Sequence, residues 1–218
     1  MDDAVIRTLA RDRGHDVQRR LAHNPNVPFD VLVELARATK IGATLLPRIA
    51  AASPAELAEL ARSRNPAARM LLAQRRDLPT KIRDALADDS DAKVAKSVAP
   101  HPGLSEVQLR AMVDRHGVQV LARIATNPDA TPALLADVAR HEPPARKALR
   151  EVARHPRSPA SALLHCLTDD RARPVTARHA SLPPHVVADL LADPDRQVAQ
   201  AAAANPSLPV AVMRELLP

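Results

Sequence analysis

One phrase recurs along the chain, and any fold must accommodate it. It reads LAHNPNVPFDVLVELA at 21–36, IATNPDATPALLADVA at 124–139 and AAANPSLPVAVMRELL at 202–217. Looser copies are VAPHPGLSEVQLRAMV at 98–113, VARHPRSPASALLHCL at 152–167 and TARHASLPPHVVADLL at 176–191. LAQRRDLPTKIRDALA at 72–87 keeps the apolar positions without the Asn-Pro step, and a shortened AAASPAELAELA occupies 50–61. The copies place alanine at one register (Ala22, Ala51, Ala73, Ala99, Ala125, Ala153, Ala177 and Ala203), with a mean spacing of about 26 residues. Pro28, Pro79, Pro159, Pro183 and Pro209 share a second register, where Ser105 and Thr131 stand in. Segments this short cannot bury an apolar face alone, so each must pack on the next.

Each repeat has a physical reading. A short first helix starts after a capping residue such as Asn65, Asp91 or Asp195 and runs to the repeated alanine. The Asn-Pro or His-Pro step ends it, because proline removes a backbone donor and turns the preceding residue away from helical angles. Three residues later Pro, Ser or Thr opens a second helix; proline suits its first turn and a hydroxyl can cap it. Apolar residues such as Val31, Leu32 and Leu35 form one buried stripe. The repeated alanine marks a helix approach too close for a longer side chain. The rhythm breaks at 37–65, which holds the shortened copy and Gly42, and at 140–145, where a Pro-Pro pair lengthens the turn.

These features predict an all-α solenoid of about eight two-helix repeats, HEAT-like in plan, in a single domain over 1–218. Residues 1–13 serve as N-terminal helix and cap, and 14–217 as repeats. Composition points the same way. With no Trp, no Tyr and one Phe, the core must be built from Ala, Leu, Val and Ile, which suit closely packed helices better than sandwiches or barrels.

Cys166 is the one cysteine, which rules out an internal disulfide or a cysteine metal cluster. It occupies the helical position held by Leu35, Leu86, Met112 and Val138, so a buried, inert thiol is expected. The N-terminal MDDAVIRTLARDRG has no apolar run of the secretory kind, and no stretch reaches the length of a membrane span. A cytoplasmic protein without a membrane partner is expected, and the Arg, Ala and Pro richness points to a GC-rich bacterial source.

His101, His155 and His179 occupy the register that elsewhere holds Asn24, Asn127 and Asn205. Two imidazoles on successive turns can begin a zinc site. No acidic or cysteine ligand recurs there, so the preferred reading is that Asn and His alike bond to open backbone groups at the turn. HExxH, paired CxxC, Walker and GxGxxG motifs are all missing, and Ser and Thr fall mainly at helix starts, where capping explains them. The chain therefore reads as no enzyme and as needing no cofactor.

Charge is the most informative functional feature. Lys and Arg number 31 against 25 Asp and Glu, a net charge of +6. The first-helix segments hold the positive excess, while the second-helix segments are slightly negative. Arg19, Arg20, Arg69, Lys93, Lys96, Arg123, Arg146, Lys147 and Arg150 lie on first helices. Equivalent positions line up in a stack, which predicts a basic stripe. The plainer reading is a solvated face of an Arg-rich chain. As a binding surface, the stripe suits an acidic protein or peptide first, and sequence-independent contact with nucleic-acid phosphates second. A helical-repeat enzyme of the DNA glycosylase kind ranks last, since aromatic residues for base stacking are missing. The sequence given ends at MRELLP with its last apolar stripe uncovered, from which a homodimer through the C-terminal face, or further chain, is expected.

The phrase NPxxPxxxLxxLA, preceded by a short helix ending in alanine, resembles the leucine-rich repeat variant family of bacteria. The resemblance runs from about Gly14 to Leu217 and is best at 14–36, 117–139 and 195–217. It implies a right-handed superhelix of alternating α and 3₁₀ or short α-helices, without strands. The iron–sulfur cluster that some members carry on an N-terminal cysteine segment does not transfer, because the lone Cys166 lies in the sixth repeat. The resemblance bears on architecture and leaves function open.

Overall fold

Frequent proline and Asx stops keep the helices short. The computed structural model describes residues 3–12, 14–38 and 44–215. Among the described residues there are seventeen α-helices, one 3₁₀ turn and no strand, so the all-α expectation holds. The chain divides into two compact units, 1–101 and 102–218.

The first unit contains α1 (Asp3–Ala10), α2 (His15–Ala22), α3 (Phe29–Ala38), α4 (Pro47–Ala50), α5 (Pro54–Ala61), α6 (Pro66–Leu72), α7 (Thr80–Ala87) and α8 (Ala92–Val98). Here α1 packs on α2 and α3, α3 on α6, α5 on α6 and α7, and both α6 and α7 on α8. The second unit contains α9 (Glu106–His116), α10 (Val118–Ile124), α11 (Pro132–Ala139), α12 (Arg146–Arg154), α13 (Ala160–Cys166), α14 (Arg173–Ala177), α15 (Pro184–Asp189), a 3₁₀ turn at Leu190–Ala192, α16 (Arg196–Ala203) and α17 (Val210–Glu215). In this unit α10, α12, α14 and α16 pack in succession, and α11 packs on α12 and α13.

Local chemistry sets the helix ends. Asn65, Asp91 and Asp195 cap α6, α8 and α16, accepting the amides of Ala67, Lys93 and Gln197 at 3.0, 2.8 and 2.8 Å. Ser105 and Thr131 cap α9 and α11, accepting from Gln108 at 3.3 Å and Leu134 at 3.2 Å. Pro79, Pro159 and Pro183 sit one position earlier than expected, as N-caps rather than first-turn residues. Their φ values of −53°, −77° and −58° are those the ring imposes, ψ is extended, and their carbonyls accept the first helical bonds. Gly117 joins α9 to α10 at φ 55° and ψ −137°, a backbone that strains any side chain even though no neighbour lies within 4 Å of a Cβ placed there. The irregular stretches appear as a four-residue α4 and as the 140–145 turn, in which Glu142–Pro143 is cis. Gly42 lies outside the described residues.

The alanine register is buried at Ala22, Ala73, Ala99, Ala125, Ala153 and Ala177. It fails at Ala51 and Ala203, which are exposed, while their neighbours Ala52 and Ala202 are buried. The short α4 shifts the frame at Ala51. Ala203 lies at the end of α16.

Two polar registers recur along the chain, and several of their members reach back to the repeat before. At the turn after the first helix, the side chain two residues past the repeated alanine bonds in most copies to its own turn and in several copies backwards. Asn205 accepts the Ser207 amide at 2.7 Å and donates through Nδ2 to the Ala177 carbonyl at 2.7 Å. His101, His155 and His179 place Nε2 at 2.8, 3.0 and 3.0 Å from the carbonyls of Ala73, Asn127 and His155. Arg75 takes the place of the lost Asn-Pro step, with Nη1 donating to Ile49 and Ala52 carbonyls and its other nitrogens held by Asp77. The second register lies before the first helix. There Asp12, Asp89, Asp169 and Asp193 accept the amides of Gly14, Asp91, Arg171 and Asp195, two residues on. Asp89 and Asp193 also take the guanidinium of an arginine twenty residues earlier, Arg69 and Arg173.

Candidate interaction surface

The first helices turn apolar residues inward and leave cations outward. On α8 Val94, Ala95 and Val98 are buried, while Lys93 and Lys96 are exposed and one turn apart. On α12 Ala148, Leu149, Val152 and Ala153 are buried, Arg146 and Lys147 are exposed, and Arg150 is half-buried with Nε 3.4 Å from the Arg146 carbonyl. Arg19 and Arg20 are exposed on α2, and Arg123 is half-buried on α10. Because α10 and α12 pack together, Arg123 and the α12 cations belong to neighbouring helices of the second unit.

Several cations elsewhere are held in ion pairs. Arg83 on α7 binds Asp84 at 2.8 Å. Arg110 on α9 binds Glu106 at 2.8 Å and Asp137 at 2.9 Å. Arg140, just past α11, also binds Asp137, at 2.8 Å. Hydrogen bonds from Thr131 and then Arg110 lower the Glu106 carboxyl below its ordinary range, and bonds from Arg140 and Arg110 do the same for Asp137. Among the described residues Arg20, Lys93, Lys96, Arg123, Arg146, Lys147 and Arg150 make no ion pair, and Arg19 makes a loose one to Asp16 at 3.3 Å.

Arg69 differs from the rest of the expected stripe. Its side chain is 15% exposed, it grips Asp89 at 2.6 and 2.9 Å, and its third nitrogen donates to the Ser63 carbonyl at 2.7 Å. It is a strut between successive repeats, with its charge matched internally. Arg154 and Arg157, outside the expected stripe, are exposed at the end of α12 and just beyond it; Arg154 lies 3.2 Å from Glu151. The run RKALREVARHPR carries that signal openly.

The remaining candidates resolve into structural roles. The histidine register bonds to backbone, as expected. Cys166 is fully buried on α13, donates to the Leu149 carbonyl at 3.3 Å, and is pushed by burial up to about 12. A thiol reagent of the aromatic disulfide type should leave it unmodified in the folded protein and titrate one thiol after denaturation; rapid modification without denaturant would contradict its burial.

Two open grooves lie between second helices. One, of about 790 Å³, is lined by Phe29, Val33, Glu59 and Leu60, and Arg48 lies 4.8 Å from the Phe29 ring centre. The other, of about 250 Å³, is lined by Val113, Leu134, Val138 and His141. Neither joins a nucleophile to an oriented base. Among the described residues no group of three or more His, Cys, Asp or Glu side chains is placed to hold a metal ion, and no helix is long and apolar enough to cross a membrane. In comparisons with known proteins, no family model, no curated protein and no solved structure matches this chain.

Proposed function

We propose that the chain is a non-enzymatic binding scaffold of the leucine-rich repeat variant kind, with about eight two-helix repeats stacked as right-handed α-solenoid, presenting first-helix cations to an acidic protein or peptide. The observation that carries this reading is the set of first-helix cations that make no ion pair among the described residues. Arg83, Arg110 and Arg140 are neutralised by carboxylates, whereas Lys93, Lys96, Arg123, Arg146, Lys147 and Arg150 keep their charge for a partner. Single exposed ion pairs contribute little, but several like charges on one face steer association and select against wrong partners. The stacking is supported by bonds that reach back 24 to 28 residues, close to the repeat length.

Nucleic acid is the second reading, through the same cations. With no Trp or Tyr to stack bases, it would rest on phosphate contacts alone. The test uses immobilised poly-glutamate and a DNA duplex, each at low and moderate salt. The double variants Lys93→Glu/Lys96→Glu and Arg123→Glu/Arg150→Glu should each weaken poly-glutamate binding by about tenfold or more. Their helicity should be unchanged. Duplex binding that exceeds poly-glutamate binding and falls steeply with salt would move the assignment to nucleic acid, and unaltered affinity in both variants would sink the basic surface.

A further inference from the structure

The turn register holds asparagine in some repeats and histidine in others, and only histidine titrates. In the second unit the two do the same work. Asn127 and Asn205 accept the amides of Asp129 and Ser207 at 2.8 and 2.7 Å. His155 and His179 accept those of Arg157 and Ser181 at Nδ1, both at 3.1 Å. Their Nε2 atoms face the carbonyls of Asn127 and His155, both at 3.0 Å. An N–H opposite Nδ1 and a carbonyl opposite Nε2 leave one consistent state, the neutral ring with its proton on Nε2. A second proton would have to enter at Nδ1, directly against a backbone donor.

We propose that His155 and His179 form an acid-sensitive latch in the second unit, closed by neutral imidazoles and released as they protonate. The two are coupled, because His179 bonds to the carbonyl of His155 itself. The charged or titratable groups acting on His155 are Arg157 in its own turn and His179 in the following one, and the preceding turn offers the neutral Asn127. None of these favours an imidazolium at Nδ1. Burial holds His155 below its ordinary value of 6.5, opposed by the bond to the Asn127 carbonyl and aided by Arg157 and His179. The unfolded chain therefore binds the proton first. The stability that the neutral His155 contributes is complete above the unfolded value and is lost as pH falls from there toward the folded one.

Neighbouring repeats supply the control substitution, since asparagine makes the same two bonds without titrating. The full chain and its His155→Asn/His179→Asn variant are melted at about pH 7.5 and about pH 5.5. The wild type should lose roughly 2–5 °C more than the variant over this interval. Equal losses in the two proteins overturn the latch. Should the variant fail to fold, amide exchange in the wild type decides the matter. On acidification, protection at Arg157 and Ser181 should fall relative to Asp129 and Ser207, whose amides asparagine holds; unchanged ratios overturn the proposal. Imidazole ¹⁵N shifts at about pH 7.5 must also show the Nε2–H tautomer at both residues, and the opposite tautomer refutes the geometry.

Discussion

Asp89→Ala should destabilise the first unit by roughly 2–4 kcal/mol, a large part of what holds a small domain together. The Asp89 side chain is 7% exposed and accepts from two nitrogens of Arg69 at 2.6 and 2.9 Å and from the Asp91 amide at 2.8 Å. Its removal strands a guanidinium that is 15% exposed and frees the turn that positions Asp91, the cap of α8. The estimate falls somewhat below the range for a wholly buried pair because Arg69 keeps some contact with water. Arg69→Met/Asp89→Ala should recover part of the loss, since the double change removes the stranded charge and leaves mainly the open turn. With no Trp or Tyr in the chain, the measurement is urea unfolding followed by helical circular dichroism. A loss under about 0.5 kcal/mol for Asp89→Ala would mean that water screens the pair as it screens a surface one.

The sequence shows its helix boundaries well because the chemistry of a boundary is local. Asn65, Asp91, Ser105 and Thr131 cap the helices they precede, and proline stops and starts act within a few residues. The histidine register was readable for the same reason: His and Asn share the ability to accept at one atom and donate at another. What the sequence hides is the bond that spans a repeat. Nothing in LAQRRD announces that Arg75 takes over from asparagine, since guanidinium and carboxamide resemble each other only in what they donate to. A charge count places Arg69 with the surface cations because it sees the sign and misses the acid twenty residues on. The clue was available in the twin spacing of Arg69 to Asp89 and Arg173 to Asp193, each acid opening an Asp-x-Asp turn. The surface cations remain a matter of pairing, which composition cannot report.

The alanine register offers the sharpest test of how the helices pack, because it fails in an informative place. Ala125 and Ala153 are each 1% exposed at the ends of α10 and α12, so a leucine at either must displace packed neighbours, and Ala125→Leu or Ala153→Leu should cost roughly 1–3 kcal/mol. Ala203 holds the same register on α16 but is exposed, and there the added side chain meets solvent. Ala203→Leu should therefore change stability by less than about 0.5 kcal/mol. Alanine and leucine are both strong helix formers, so propensity cannot account for a difference among the three sites. The comparison isolates packing from sequence position. If all three variants melt alike, the repeated alanine reflects the composition of the chain; if only the two buried ones fall, it reflects the closeness of one helix pair to the next.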